Sequence, residues 1–374
     1  MNIFEEAQKK LDYFIQNNID SYHFLRNYDY GISNRTNVSQ ISKYTSHRII
    51  YEYDILKKLK EIDKKKKFSD EILWRLYWKG YLENHNSIWI KYKNFKFNSF
   101  DSTILENAKN GTTGIECFDT WLEELRENSY LHNHTRMWFA SIWIFTLRLP
   151  WQLGANLFMK HLLDGDASSN TLSWRWVAGI HTNKKPYIAS KDNINKFTIN
   201  RFKNISINTS NQINIIVKDQ YLPNRIPIQK NFFNSNILIM FDNDLNISNR
   251  SKLFNSYSKV YIVLNKLVQN RFRMNENVIL FKEYLINNVN KLILNSEILN
   301  SNDLDIILED YKSIDVIYPG IGSNLDLVNK FRDKKQININ YIYRKEDLFN
   351  WGFANSGFYK FKKSFNTINK NKKL

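Results

Sequence analysis

The chain of 374 residues carries 54 Lys and Arg against 37 Asp and Glu, a formal charge of +17, with 43% hydrophobic and 15% aromatic residues. That length accommodates two domains, and the charge favours a polyanionic partner, nucleic acid first, although an Asn- and Lys-rich coding bias raises it too. A single cysteine, Cys117, excludes an internal disulfide, and no Cys/His spacing points to a metal. The opening MNIFEEAQKKLDYF lacks the order of a signal peptide and no apolar run matches a bilayer, so a cytoplasmic protein without a membrane partner is expected, and a monomer is taken as the expected state.

Residues 1–200 read mainly as helices. The stretch YEYDILKKLKEIDKKKK at 51–67 sets Ile55, Leu56 and Leu59 on one side and Lys57, Lys58 and Lys60 in water. Its closing KKKK suits either a phosphate or the cation-favouring end of a helix. A second helix is drawn over 70–78, capped by Ser69 or Asp70 and filled by ILWRLYW, and a third over 117–127, where Trp121 and Leu122 pack and Cys117 is buried. The apolar run from Met137 stops before Pro150, which cannot continue the backbone ladder, and DGDASSN at 164–170 reads as a polar turn between helices.

The texture changes after about residue 205. β-branched bursts occur at 236–241, 259–264, 277–281, 291–294, 315–319 and 337–343, with helix-length stretches between them. That is the rhythm of a doubly wound α/β domain with a parallel sheet. The expected organisation is therefore multidomain α and α/β: a helical domain over 1–204, a linker over 205–231 that contains Pro223 and Pro227, and an α/β domain over 232–374.

Chemistry concentrates in residues 133–176, where Arg136, Asp164, Asp166 and Asn170 sit among five tryptophans. Buried charges are costly unless they are paired or hold a ligand. The segment resembles the FAD-binding helical domain of the DNA photolyase and cryptochrome family, whose signature runs HNxxRM, then a helix near a Trp, then DGDxxxNxxxWxW. The matching residues are His132, Asn133, Arg136, Met137, Trp151, Asp164, Gly165, Asp166, Asn170, Trp174 and Trp176. The similarity extends upstream through TTGIECFDTWLEELRE at 112–127 and DEILWRLYW at 70–78, and weakly to VSQISKYTS at 38–46.

The resemblance implies non-covalently bound FAD and assigns roles residue by residue. Ser39 and Ser42 would hold the diphosphate, and Arg136 and Asp164 would pair beside the isoalloxazine, the alternative being a purely structural bridge. Asp166 and Arg75 would line the cofactor, and Asn170 would face flavin N5, where an amide can accept from or donate to that nitrogen. Trp151 and Trp174 would carry electrons to the flavin; the family's third, surface tryptophan has no counterpart in KFNSFDSTILENAKNG, so the last hop falls to Phe97, Phe100, Trp89 or a nearby tyrosine. Glu71 would hydrogen-bond a damaged pyrimidine, Trp74 and Trp176 would stack on it, and Asn133 and Met137 would form the pocket floor. Ordinary helix packing is the alternative for both tryptophans.

The implied activity is light-driven repair of cyclobutane pyrimidine dimers in UV-damaged DNA, with a cryptochrome-like photoreceptor as the main rival and a photochemically silent flavoprotein as a third possibility. Two departures stand out. His134 replaces an arginine common in DNA-repairing relatives, and the α/β domain follows the helical one, with ILIMFDNDLNISNRSKLF at 237–254 resembling the family's opening strand and Asn246 standing for an arginine. Such permutation is feasible when termini lie near one another at the surface. PGIGSNLD at 319–326 is either a structural turn or a ligand-facing one, where an antenna chromophore such as a folate or deazaflavin would bind.

Overall fold

The computed structural model describes residues 2–97, 100–182, 185–207, 235–266 and 272–371. Helices dominate as far as Thr198, and a five-stranded sheet organises the C-terminal part. The strands are β1 (Ile237–Phe241), β2 (Lys259–Leu264), β3 (Ser296–Asn300), β4 (Ser313–Ile317) and β5 (Asn338–Ile342). Their order is β3-β2-β1-β4-β5, every neighbouring pair is parallel, and Ile239 is registered with both Tyr261 and Val316. The direction of winding therefore reverses between β1 and β4, the place where open α/β sheets leave a crevice.

Three apolar clusters hold these elements. Trp121, Trp138, Phe139, Trp143 and Trp174 fill the helical core. Along β1, side chains alternate between two faces, as a strand requires. Leu238 and Met240 join the N-terminal helix Ile3–Asn17 and Ile49, Ile55 and Ile72 in one cluster, whereas Ile237, Ile239 and Phe241 meet Leu327 and Phe331 on the other face. The sheet and the first helices thus share a core, and each buried Leu or Ile contributes about 1.5–3 kcal/mol to that union.

Four of the six expected strands form close to their predicted places. The bursts at 277–281 and 291–294 instead lie in the helix Glu276–Asn290 and the turn after it. Val278, Leu285, Ile286 and Val289 are its buried residues, a helical rather than a strand spacing. The strand that replaces them, β3, is an edge with one buried residue, Leu299, so its composition carries little apolar signal. The helix expected over 51–67 stops at Leu59, and the lysine run forms a turn in which Lys66 has φ +58. The next helix spans Lys67–Asn84, with Ser69 and Asp70 inside it; the cap comes from Asp63, whose Oδ2 accepts from Ser69 N at 2.7 Å and Ser69 Oγ at 2.9 Å. The expected linker lies outside the described residues from residue 208 onward.

A buried ionic cluster joins the two parts. Arg48, at φ +54, donates from Nη1 and Nη2 to Asp347 at 2.6 and 2.9 Å, from Nη1 to Asp244 at 3.2 Å and from Nε to Glu52 at 3.2 Å. Arg344 forks onto Asp244 at 2.6 and 2.8 Å, and Lys79 reaches Glu52 at 2.7 Å. Removing one partner of such a cluster strands the others without water. Arg48→Met is expected to cost about 3–5 kcal/mol in urea unfolding and to expose the region around Asp347 to protease; a loss below about 1 kcal/mol would contradict this role for the cluster.

Candidate flavin site

Of the polar turn expected over 164–170 only 164–166 is turn; residues 167–170 already belong to the helix Ala167–Val177, which Asp166 caps. Its Oδ1 accepts from Ser168 N at 2.9 Å and Oγ at 2.6 Å, and its Oδ2 accepts from Arg75 Nη1 at 3.0 Å. Burial opposes charge on Asp166, but Arg75, Lys79 and the Ser168 and Ser169 hydroxyls outweigh it and hold the group down at about 2. Two residues earlier, Asp164 accepts both arms of Arg136 at 3.0 Å, while Arg136 Nε donates to Leu131 O at 2.9 Å. Burial again opposes charge on Asp164, and Arg136 and the Ser42 hydroxyl overcome it, so it stays ionised below the usual carboxylate range. Ser39 and Ser42 are both half-buried, and the Ser42 hydroxyl hydrogen-bonds Asp164.

One turn into the capped helix, Asn170 Nδ2 donates to Ala155 O at 2.9 Å, and its Oδ1 accepts no bond among the described residues. Trp174 Nε1 is buried with no partner among the described residues. The donors and acceptors suit a flavin: a fixed ion pair, an open amide acceptor and flanking indoles. Trp174 crosses the helix Trp151–His161 at Gly154, where no Cβ would fit against its ring.

The helix Lys67–Asn84 sorts its residues by face. Arg75, Lys79 and Glu83, spaced by four, point to Asp166, to Glu52 and to the loop after β4. Trp74, Tyr77 and Tyr81 face the other way, toward His181 and the C-terminal helix Phe358–Asn371. The expected lesion-facing residues are engaged within the chain. Glu71 accepts from Arg26 at 3.0 Å; its carboxyl is raised by burial, with Arg26 pulling the other way. Trp74 stacks on Phe358 with centroids 3.8 Å apart and planes 7° apart, and Lys362 pairs with Asp70 beside it. Trp176 stacks on Tyr187 at 5.9 Å, and no ring contact joins Trp74 to Trp176 among the described residues. Asn133 is exposed and Met137, one turn later, is half-buried. His134 is buried between Asn27 O and Tyr187 OH, at 2.9 and 3.1 Å.

Sequence reading missed the residues that face the α/β part. His47 lies with Nδ1 2.7 Å from Asp242 O and Nε2 3.1 Å from Leu163 O, bridging the end of β1 to the turn that holds Asp164. The loop 319–322 receives Glu83: Ile321 N donates to Oε1 at 3.0 Å and Tyr318 OH to Oε2 at 2.7 Å. The only signal in the sequence was the four-residue spacing of Arg75, Lys79 and Glu83 on an otherwise aromatic helix. The cleft here measures about 120 Å³, lined by Asp242, Lys282, Asn324, Glu83 and Trp351 among others. Trp351 closes the seam against Gly80, whose missing Cβ is what admits it.

Burial pushes the Glu83 carboxyl up to about 7, against the Tyr318 and Ile321 hydrogen bonds and with Asp347 adding to the rise. The folded chain therefore holds a proton at Glu83 where the unfolded chain has released it. That stabilisation is fully present below the ordinary glutamate pKa near 4.3 and is lost as pH rises through about 7. Urea midpoints are expected to fall by the equivalent of about 1–3 kcal/mol across this window, and Glu83→Gln to flatten the slope. An unchanged slope in the variant would assign the pH dependence to other groups.

Residues 68–206 match the family model described as the FAD binding domain of DNA photolyase. Over 195 residues the chain is 29% identical to the deoxyribodipyrimidine photo-lyase of Buchnera aphidicola, covering 48% of this chain and 39% of that one. Over 193 residues it is 30% identical to the deoxyribodipyrimidine photo-lyase of Alkalihalophilus pseudofirmus, covering 49% and 39%. The chain thus spans about two fifths of the length of these relatives. Among solved structures, a bacterial class III photolyase from Agrobacterium tumefaciens aligns with a TM-score of 0.45 at 25% identity, covering 52% of this chain and 42% of that one. The chain carries a FAD-binding domain of the photolyase/cryptochrome family, followed by a C-terminal α/β domain.

Proposed function

We propose that this chain holds FAD between Arg136, Asp164, Arg75, Asp166, Asn170, Ser39 and Ser42, and that light absorbed by the reduced flavin reverses cyclobutane pyrimidine dimers in DNA. On this reading the FAD- and DNA-binding part covers 1–204 and the α/β part 232–374. The observation that carries it is the bidentate Arg136–Asp164 pair set one cap away from Asn170, whose Oδ1 is left open. When bound, the flavin supplies light absorption and the transferred electron; the bond chemistry belongs to it and to the dimer.

The chain's own groups orient and tune. Arg136 and Asp164 hold a fixed dipole that does not reorganise during the reaction. On this reading Asn170 Oδ1 accepts a hydrogen bond from a protonated flavin nitrogen. Glu71, with its carboxyl raised by burial, is suited to donate a hydrogen bond to a pyrimidine carbonyl once Arg26 swings aside. Trp74 and Trp176 supply stacking faces after Phe358 and Tyr187 give way, and the net charge of +17 favours a DNA backbone. That same coverage favours a second reading, a cryptochrome-like photoreceptor in which the C-terminal helix, rather than a lesion, answers to light.

An oligonucleotide with one defined dimer, assayed in light and darkness beside a (6-4) lesion, separates the two. Dimer reversal is expected in the light alone, falling at least about tenfold, some 1.4 kcal/mol of barrier, in Glu71→Gln and Trp176→Ala. Phe358→Ala is expected to tighten binding of the damaged strand. Protein that retains FAD yet reverses neither lesion would support the receptor. Arg136→Leu, which leaves Asp164 unpaired, is expected to lose bound FAD on purification; full retention would remove the ion pair from the site.

A further inference from the structure

One buried imidazole joins the end of β1 to the turn 162–166. Both ring nitrogens of His47 lie against backbone carbonyls: Nδ1 is 2.7 Å from Asp242 O, and Nε2 is 3.1 Å from Leu163 O. A carbonyl only accepts, so making both bonds takes an N–H on each nitrogen, which is the imidazolium. The neutral ring has one N–H and makes one bond. Leu163 N also donates to Ser129 O at 3.0 Å, and His47 O accepts from Leu245 N at 2.9 Å, just past β1. The imidazole thus completes a hydrogen-bonded path from Ser129 through Leu163 to the sheet.

We propose that His47 is a proton-gated positioning residue: its neutral ring holds Asp242 O alone, and a second proton closes the bond to Leu163 O, pinning the turn that carries Asp164 and Asp166 to the end of β1. That this turn serves FAD rests on the flavin reading above; the gate itself does not.

The surroundings choose which bond the neutral ring keeps. Asp242 offers Nδ1 its carbonyl at the shorter distance and its carboxylate Oδ2 at 3.6 Å, so the first proton stays on Nδ1. Nε2 then turns a lone pair toward Leu163 O, and two lone pairs 3.1 Å apart repel. The Asp242 carboxylate is shared: it binds Lys282 Nζ at 2.8 Å, on the helix Glu276–Asn290, and accepts from Asn324 Nδ2 at 3.1 Å, on the helix Ser323–Lys335. Phe281 sets its ring edge-on to His47 at 5.8 Å and adds no charge. In the turn, Asp164 and Asp166 are paired with Arg136 and Arg75, and the neighbouring Arg48 is paired with Glu52, Asp244 and Asp347. Burial and Lys282 outweigh Asp242 and the two carbonyls and hold the imidazole below the ordinary 6.5. The ring is therefore neutral at neutral pH and takes its second proton in acid. His47 lines the cleft of about 120 Å³ between the turn and the sheet, which gives that proton a way in.

The test follows the 15N-labelled imidazoles of the whole chain by NMR and the amide exchange of residues 162–166 by mass spectrometry, from about pH 8 to about pH 5, with intrinsic exchange rates divided out. His47→Gln, or His47→Asn should the first not fold, identifies the His47 signals. At the upper end His47 is expected to carry its proton on Nδ1. At the lower end both nitrogens are expected to be protonated and the turn at least about tenfold more protected, the size of one hydrogen bond from a charged donor. That rise is expected to disappear in His47→Gln. Glu83, held at about 7 on the loop whose Gly322 meets Ala167, also titrates in this window, and Glu83→Gln is expected to keep the rise. His161, held at about 4, titrates beneath it. A proton on Nε2 at the upper end, a ring protonated on both nitrogens throughout, or a rise that survives His47→Gln or is lost in Glu83→Gln would overturn the gate. With FAD bound, the flavin absorbance is expected to shift over the same range in the parent and not in His47→Gln; bound FAD with a pH-independent absorbance would overturn the gate's reach to the cofactor. A folded chain that takes up no FAD overturns the flavin reading and leaves the gate to the NMR and exchange results.

Discussion

Arg48 gives its guanidinium to carboxylates from three separate stretches of chain, Glu52, Asp244 and Asp347, and every one of these groups is buried. Ions taken out of water are tolerated only with their partners in place, so this cluster fixes how the helical and α/β parts meet. Its influence does not end at the seam. Glu52 also binds Lys79, which shares a helix face with Arg75, and Arg75 binds Asp166 at the end of the turn 162–166. Alternating charge thus runs from the sheet to the turn that holds Asp164 and Asp166. A displacement of the α/β part would therefore be felt at Asp166, and loss of Asp166 would be felt at the cluster.

The aromatic residues divide along the same helix. Its charged face reaches the turn 162–166 and the seam, while Trp74, Tyr77 and Tyr81 pack with Phe358, Phe361 and His181. A large aromatic surface left in water would be a liability, and the C-terminal helix covers it. Stacking at 3.8 Å with planes 7° apart is close to the arrangement a flat base would adopt on Trp74. Any base that reaches this ring competes with Phe358, and the balance between them is set by what anchors the helix, Lys362 on Asp70 among others.

Much of this was legible in the sequence wherever a local rule and a tertiary role agreed. Arg136 with Asp164 among tryptophans demanded a pairing, whereas the polar stretch 164–170 read as a turn and in fact opens a helix at Ala167. The β1 and β2 bursts are buried on both faces, so their composition is unambiguous. It was illegible where identity and conformation part. Arg48 takes a left-handed backbone that nothing in RII around it foretells, and Asp347 and Asp244 find it from about 300 and 200 residues away, at separations of 299 and 196. The lysine run reads as a helix end by charge alone, yet Asp63 rather than any lysine decides where the next helix begins. The exposed edge β3 has too few apolar residues to announce itself, and the helix Glu276–Asn290 has enough to look like a strand.

The order of the two parts along the chain has a physical consequence. The segment leaving β5 returns over the helical part. It does so through the helix Lys345–Trp351, tied by Asp347 to Arg48 and by Trp351 O to Asn84 Nδ2 at 2.7 Å. Gly80 lets Trp351 and Ala354 lie against the helix Lys67–Asn84, and the next residues then track that helix toward its start, where Phe358 arrives on Trp74. With the seam anchored at Asp347, the close approach at Gly80 directs where the last helix lies. The covering of Trp74 is therefore built from the same contacts that join the two parts, and whatever loosens the seam also loosens the aromatic cover.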